Sequence, residues 1–305
     1  MRNKISKKNE KLRYSLSPYR KEYDKLNTEY VPNLMFINKR NHRSKIVNTD
    51  NLGLRFNSLP KFNKSIFNTK KKTNILIGNS TVFGIGSSRD KYTIPSLLSN
   101  ESELFFNLGS RAYNLFQEII LFLSVFHKIK KIKKIIILSG VNDIFFSLRE
   151  SSSKTFPFPI YNNNNFLNLM NKNRYIKKNK FNISFKDHLD RVFTFWNSIQ
   201  KSLNTKIVFV LQPYFYWSKK ISLEEKNIST MMKGSKNLTI FNKITKSYNL
   251  YLNLFKYAAK KNQIRFYDSN DFIRRNSSDK DFYFVDLMHL NDDGCKKLSS
   301  FLKIL

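Results

Sequence analysis

The chain has 305 residues, of which 41% are hydrophobic and 25% are charged. This composition excludes an intrinsically disordered chain and fits one large domain, alone or with an appendage. The single cysteine, Cys295, excludes an internal disulfide. The net charge is +33, and the basic residues are spread along the chain rather than gathered in one stripe. This distribution favours a biased base composition of the genome, rather than selection for binding nucleic acid or anionic lipid, as the origin of the charge.

The first 72 residues form a basic segment without a long helical period. We interpret residues 1–72 as an amino-terminal appendage that is partly extended. The stretch Val47 to Ser58 predicts a turn at Asp50-Asn51 followed by a short strand. No apolar stretch follows the basic start, and no apolar run elsewhere is long enough to cross a bilayer. We therefore expect a cytoplasmic protein without a membrane span.

From residue 73 to residue 305, short apolar strands alternate with helical periods. The predicted strands are Asn74–Ile77, Lys134–Leu138, Lys206–Leu211 and Ile264–Tyr267, and the predicted helices are Tyr113–Lys128, Asp187–Leu203, Leu238–Lys261 and Asp292–Leu305, the last capped by Asn291 or Asp292. The alternation predicts an α/β domain with a parallel sheet covered on both faces and a ligand site at the carboxyl ends of its strands. Residues 147–186 interrupt the pattern and are predicted to form a lid or a flexible insertion.

Two places in this domain carry the residue types of a serine nucleophile and its base. Ser80 follows a buried strand where a helix is predicted to begin, which would present its hydroxyl beside backbone N–H groups. Asp286 and His289 have the i, i+3 spacing that puts both side chains on one face of a helical turn. An aspartate so placed can orient the imidazole that accepts a serine proton. A helix-capping serine and a surface Asp-His pair would also fit these residues.

Two further strand ends carry residues suited to binding an oxyanion. Gly140-Val141-Asn142-Asp143 follows one strand, and the Asn142 amide can donate a hydrogen bond there. Asn107-Leu108-Gly109-Ser110 ends another, and the Gly109 N–H could point to the same oxyanion. Both runs also have the composition of ordinary turns.

Together and in this order, these residues resemble the SGNH hydrolase superfamily, the GDSL esterases and lipases. The similar blocks are Ile77-Gly78-Asn79-Ser80-Thr81, Asn107-Leu108-Gly109, Gly140-Val141-Asn142-Asp143 and Asp286-Leu287-Met288-His289. The resemblance covers residues 73–305 and implies a three-layer α/β/α sandwich with a flavodoxin-like parallel sheet and no cofactor. It implies Ser80 as nucleophile, His289 as base and Asp286 as its orienting carboxylate. It also implies an oxyanion hole formed by the Ser80 and Gly109 N–H groups and the Asn142 side chain.

One position departs from the family pattern, because Asn79 stands where the family usually has aspartate. The serines that compete with Ser80 are weaker candidates, since Ser110 has no base near it in sequence and Ser139 is expected to point away from the site. The remaining histidines lack the spacing of a metal site, so we predict no metal and expect surface or core positions for His42, His127 and His188.

These observations predict a carboxylic ester hydrolase that cleaves an acyl ester, on a carbohydrate, through a Ser-His-Asp triad and an acyl-enzyme. Two other hypotheses stay open: a sugar O-acyltransferase with the same triad, and a non-catalytic glycan- or anion-binding protein on the same scaffold. We expect a small-molecule or glycan ester as the bound partner and no nucleic acid. Aromatic residues of the insertion could stack on sugar rings or form a small core of their own. The sequence does not set the oligomeric state.

Overall fold

The computed structural model describes residues 11–57, 72–129, 131–149, 183–233, 235 and 237–305. Its strands in chain order are β1 (Thr28–Glu29), β2 (Ile37–Asn38), β3 (Thr73–Gly78), β4 (Leu104–Gly109), β5 (Ile132–Ser139), β6 (Lys206–Leu211) and β7 (Arg265–Asp268). The last five form one parallel sheet in the order β4-β3-β5-β6-β7. The two short strands β1 and β2 pair antiparallel with each other.

Helices flank this sheet. Those in the described ranges are α1 (11–16), α2 (Arg20–Lys25), α3 (Ser80–Phe83), α4 (Ile94–Leu98), α5 (Leu115–Val125), α6 (Val141–Leu148), α7 (Phe185–Ser202), α8 (Phe215–Ser218), α9 (Lys226–Lys233), α10 (Leu238–Lys246), α11 (Tyr248–Lys261), α12 (Ser269–Arg275) and α13 (Asp292–Lys303). Every residue of β3 and β4 is buried. Because successive strand residues point to opposite faces, this burial requires cover on both faces of the sheet. The predicted α/β/α class is confirmed, and the strand order is flavodoxin-like.

None of the helices in the described ranges combines the length and the apolar character needed to cross a membrane.

The carboxyl ends of the strands lie level with one another. Gly78 at the end of β3 pairs with Gly109 of β4 and with Leu138 of β5, and Leu211 of β6 pairs with Asp268 of β7. The strand order reverses at β3, since β4 lies on one side of it and β5 on the other. A crevice forms outside the carboxyl ends at such a point. The loops that follow β3, β4 and β5 therefore converge at one edge of the sheet.

One predicted helix proves to be two. The helix expected over Leu238–Lys261 is divided at Ser247 into α10 and α11. The indole nitrogen of Trp217 donates to the carbonyl oxygens of Ile244 and Thr245, at 3.1 and 3.3 Å. These bonds engage acceptors that a continuous helix would use for its own N–H groups. The two halves then pack against different neighbours, α10 against α6 and α11 against α7 and β7.

The described part of the amino-terminal segment, residues 11–57, packs against the sheet domain. Leu16, Leu34 and Leu54 belong to the same buried core as the central strands. The side chain of Arg55 is fully buried, and its Nε lies 2.7 Å from Oδ1 of Asp90, which begins a short 3-10 helix between α3 and α4. Burial of an arginine is tolerated when its donors are paired, as they are here.

The turn predicted in this segment is present, but the short strand predicted after it is wrong. Oδ1 of Asp50 accepts the N–H groups of Leu52 and Leu54, at 2.8 and 2.9 Å. In place of a strand, a single bridge joins Thr49 to Arg55. The Arg55 side chain at this bridge points inward and pairs with Asp90 of the sheet domain.

Two predictions concern stretches that lie partly outside the described residues. Residues 58–71 are not described, so the division of the chain at residue 72 stays a prediction. The insertion predicted at 147–186 begins at the end of α6 and ends at the start of α7. Residues 150–182 between these helices, including the aromatic residues considered for sugar stacking, lie outside the described ranges.

Candidate active site

Three side chains form a continuous hydrogen-bonded chain at the carboxyl edge of the sheet. Ser80 begins α3 directly after β3, whereas Asp286 and His289 lie in the loop before α13. Oγ of Ser80 is 2.8 Å from Nε2 of His289, and Nδ1 of His289 is 2.6 Å from Oδ2 of Asp286. The side chain of His289 is 14% exposed, so it is largely shielded while remaining accessible. These distances are within the reach that proton transfer from serine to histidine requires.

The loop that carries Asp286 and His289 is a bent turn and not the helical turn that their spacing predicted. Oδ1 of Asp286 accepts the backbone N–H groups of Met288 and His289, each at 2.9 Å. This side-chain-to-backbone pattern is the one by which aspartate mimics a turn. An antiparallel bridge between Phe284 and Leu290 closes the base of the loop. One carboxylate oxygen thus shapes the loop, and the other is left to hold the imidazole.

Asn79, which stands where the GDSL pattern that the sequence resembles has aspartate, takes part in a network of neutral groups. Its Oδ1 accepts the Thr81 N–H at 3.0 Å and caps α3, and its Nδ2 donates to Oε1 of Gln212. Nε2 of Gln212 donates to the Thr81 hydroxyl at 3.3 Å, and that hydroxyl donates to the Met288 carbonyl at 3.1 Å. An ionised aspartate could accept the capping bond but could not donate to Gln212. Through Gln212 and the Thr81 hydroxyl, this network connects the ends of β3 and β6 to the loop that contains Met288.

Two of the predicted oxyanion donors are engaged with the protein itself. The Gly109 N–H donates to Oδ1 of Asn107 at 3.0 Å, and Nδ2 of Asn142 donates to the Tyr113 carbonyl at 2.8 Å. An amide nitrogen carries two hydrogens, and the bond to Tyr113 occupies one of them. The third predicted donor is the N–H of Ser80, in the first turn of α3, where N–H groups have no acceptor within the helix. Gly109 would have to share or exchange its hydrogen to bind an oxyanion.

The carboxylate of Asp286 is held in its ionised form. Burial by itself would raise the pKa of Asp286, but the electrostatic attraction and hydrogen bond of His289, followed by the charge of Arg20, hold that pKa well below its usual range. Nη1 of Arg20 lies 3.2 Å from Oδ2 of Asp286. The side chain of Asp286 therefore accepts hydrogen bonds as an anion throughout the neutral pH range.

A second polar cluster is buried behind the site, between α5, β5, α6 and α7. The Ser139 hydroxyl donates to Oε1 of Glu118 at 2.6 Å, and Nε2 of His188 lies 2.7 Å from Oδ1 of Asp143. Both oxygens of Asp143 also accept the Leu115 N–H, at 3.1 and 3.2 Å. His188 is thus a core histidine, one of the two positions expected for it. Burial, and then the charge of Asp143, raise the pKa of Glu118 well above its usual value.

Because its pKa is raised, we expect Glu118 to lower the free energy of unfolding increasingly as the pH rises. Below about pH 4.3 the carboxyl is protonated in both folded and unfolded chains. As the pH rises above that value the unfolded carboxyl ionises while the folded one keeps its proton, so stability is lost until the folded pKa is passed. We expect Glu118→Gln to melt at an increasingly higher temperature than the wild type as the pH rises from 5 to 8. Glu224→Gln, at an exposed position, is the matched control, and a difference that is constant with pH would contradict the prediction.

The other candidates from the sequence take ordinary structural positions. Oγ of Ser110 accepts a hydrogen bond from Nδ2 of Asn38 at 3.2 Å, and His127 is exposed in a short 3-10 turn. His42 lies in the amino-terminal segment, where Thr49 accepts its backbone N–H at 3.0 Å. Within the ranges that the structure describes, no three His, Cys, Asp or Glu side chains are grouped so as to hold a metal ion.

Sequence reasoning missed two residues that contact the site. Gln212 directly follows β6, and its place at a strand end was a usable signal because ligand sites collect there. Arg20 carried no such signal, since it lies 266 positions from Asp286 in a segment with no recognisable motif.

Comparisons with known proteins concern the fold. No protein-family model matches the chain, and no curated protein matches it. Among solved structures, the chain is similar to an acetyl xylan esterase at 11% identity, over 75% of this chain and 97% of that one, with a TM-score of 0.45. It is also similar to the lipase/acylhydrolase from Enterococcus faecalis at 10% identity, over 76% and 94% of the two chains, with a TM-score of 0.44.

A third similar structure is a GDSL-like lipase from Bacteroides thetaiotaomicron, at 13% identity over 77% of this chain and 87% of that one, with a TM-score of 0.42. At these identities and TM-scores, activity and substrate do not carry over from one chain to the other. The chemistry of the site depends on its own residues.

Proposed function

We propose that this chain is a serine hydrolase of the SGNH type that cleaves carboxylic esters through an acyl-enzyme. The observation that carries the proposal is the unbroken chain of hydrogen bonds from Ser80 through His289 to Asp286, at 2.8 and 2.6 Å. A serine hydroxyl is a weak nucleophile until a base removes its proton, and the base works when a third group orients it. These two distances supply both conditions at one edge of the sheet.

In the first half of the reaction, the Ser80 hydroxyl attacks the acyl carbon and His289 accepts its proton at Nε2. A C–O bond forms to Oγ, and the carbonyl electrons move onto the carbonyl oxygen. When the tetrahedral species collapses, the bond to the alcohol breaks and His289 returns the proton to the leaving oxygen. The ionised Asp286 stabilises the imidazolium that exists between these events.

In the second half, water takes the place of the alcohol. His289 removes a proton from water as it attacks the acyl carbon, and then gives that proton to Oγ of Ser80 as the acid leaves. The proton balance closes, because one water is consumed and one alcohol and one acid are released. A sugar hydroxyl in place of water would give acyl transfer by the same residues.

The oxyanion is bound by N–H donors around Ser80. The Ser80 N–H and the second N–H of the Asn142 amide are the readiest donors, since the Gly109 N–H already donates to Asn107 at 3.0 Å. Each well-placed donor contributes roughly 100- to 1,000-fold to turnover. A carbohydrate as the carrier of the ester stays a prediction from the sequence.

A covalent probe tests the proposal directly. We expect a fluorophosphonate to label the wild-type protein at Ser80 and the protein to hydrolyse a short-chain aryl ester. Ser80→Ala should lose both reactions, with hydrolysis falling on the order of 10⁴-fold or more. Ser110→Ala is the matched control, because this serine lies at the end of the neighbouring strand and should leave both reactions in place.

Two results would overturn the proposal. If Ser80→Ala is labelled as fast as the wild type, another residue is the nucleophile. If the wild type neither reacts with the probe nor hydrolyses the ester, but binds an acidic glycan in a salt-dependent way, the chain is a binding protein on this scaffold.

A further inference from the structure

The amino-terminal segment sends one charged side chain into the site. Arg20 lies at the start of α2, and its Nη1 is 3.2 Å from Oδ2 of Asp286 and 3.4 Å from Nδ1 of His289. Its side chain is only 12% exposed. Oδ2 is also the oxygen that accepts the imidazole N–H, so a guanidinium and an imidazole share one carboxylate oxygen.

The helix that carries Arg20 is anchored to the loops around the site. The hydroxyl of Tyr23, one turn further along α2, lies 2.8 Å from the carbonyl oxygen of Gly84 and 2.6 Å from that of Ser87, and it can donate to either. Nη1 of Arg111, two residues after the end of β4, donates to the Tyr23 carbonyl at 3.0 Å. Both attachments are to segments that follow the strands of the site, so the position of Arg20 is set by the sheet edge itself.

In the described ranges, the charged side chains next to the Asp286–His289 pair lie on α2. Arg20 is the cation in contact with both side chains, and Oδ1 of Asp24, one turn along α2, lies 3.6 Å from Nε of Arg20. Burial, followed by the charge of Arg20, lowers the pKa of Arg111 to about 10. The charge closest to the imidazole, after the carboxylate of Asp286, is therefore a positive one.

We propose that Arg20 is a positioning residue of the triad, which fixes the Asp286 carboxylate and opposes protonation of His289 before the substrate reacts. The inference rests on the proposed function for its consequence in catalysis. A cation at this distance disfavours a second positive charge on the imidazole. Arg20 of the amino-terminal segment thereby belongs to the active site.

The titration of the His289 ring tests this without requiring turnover. The chain has four histidines, and comparison with His289→Ala identifies the signal of this ring in NMR spectra. We expect the titration midpoint of His289 to lie at higher pH in Arg20→Met than in the wild type, because the neighbouring positive charge has been removed. The acid limb of kcat/KM for an aryl ester should move in the same direction, with a loss of rate on that limb.

Three further variants of the full chain separate charge from packing. Arg20→Gln keeps a polar side chain but has no charge, so the titration of His289 should follow that in Arg20→Met. Arg20→Lys keeps the charge and should stay near the wild type. Arg40→Met removes an exposed arginine of the same segment, which is paired with Glu29 at 2.5 Å, and should change neither measurement.

The two proposals fail in different ways. If the His289 midpoint in Arg20→Met coincides with that in Arg40→Met, the role of Arg20 is overturned, whatever happens to the rate. If Arg20→Met does not fold, the comparison of Arg20→Gln with Arg20→Lys decides in the same way. If the midpoint moves but the wild type hydrolyses no ester, the contact is upheld and the proposed function is the part that fails.

Discussion

Replacing His289 with alanine is expected to lower kcat/KM for an aryl ester on the order of 10⁴-fold or more, with the fold retained. The imidazole lies 2.8 Å from Oγ of Ser80, and in the proposed mechanism it takes the proton of that hydroxyl. Without it the hydroxyl keeps its proton at neutral pH and attacks slowly. The fold should survive, because the loop is held by backbone bonds to Asp286 and by the bridge from Phe284 to Leu290.

Steady-state rates and fluorophosphonate labelling, with circular dichroism to verify folding, would measure this loss. His127→Ala removes an exposed histidine and should leave the rates unchanged. A His289→Ala protein that is folded and turns over within tenfold of the wild type would mean that another base serves Ser80, and the triad would have to be abandoned.

Replacing Gly109 with alanine is expected to damage stability and activity together. A Cβ at this position would lie 2.1 Å from the Phe83 nitrogen and 2.6 Å from the Val82 carbonyl carbon. Both are backbone atoms of α3, so no side chain can move aside to make room. We expect a stability loss of about 2 kcal/mol or more from overpacking. Because α3 begins with Ser80, a displacement of this helix by about 1 Å should cost on the order of 100-fold in kcat.

Substitution of a second glycine, Gly53, serves as a control for destabilisation that does not displace the triad. Gly53→Ala also clashes with backbone, at 2.3 Å from the Asn38 carbonyl oxygen, and its φ of +75° is unfavourable for alanine. Residue 53 lies in the amino-terminal segment and contacts none of the triad. Denaturant melts should show that both variants are destabilised, while rates at a temperature where both are folded should fall only for Gly109→Ala. If the two variants have equal rates, α3 accommodates the added Cβ of residue 109 without displacing Ser80, and the prediction is wrong.

The strands and most helices could be predicted because their signals are local. Runs such as Lys206–Leu211 are apolar and β-branched over the length of one strand, and the structure has this strand with the same bounds. Asn291 caps α13 as expected, with its side chain accepting the Gly294 N–H. The break at Ser247 could not be predicted, because α10 and α11 are both amphipathic and the indole of Trp217 that interrupts them comes from elsewhere in the chain.

What the sequence determined by itself was the list of chemical groups and their order along the chain. Ser80, Gly109, Asn142, Asp286 and His289 follow strand ends or stand before a capped helix, and parallel strands bring such ends to one edge. The tertiary structure alone decided how these groups bond. It joined Asn79 to Gln212, engaged the Gly109 N–H with Asn107, and set Arg20 against Asp286 across 266 positions. Hydrogen bonds depend on distances of a few ångströms between side chains far apart in the sequence, and only the packed chain sets those distances.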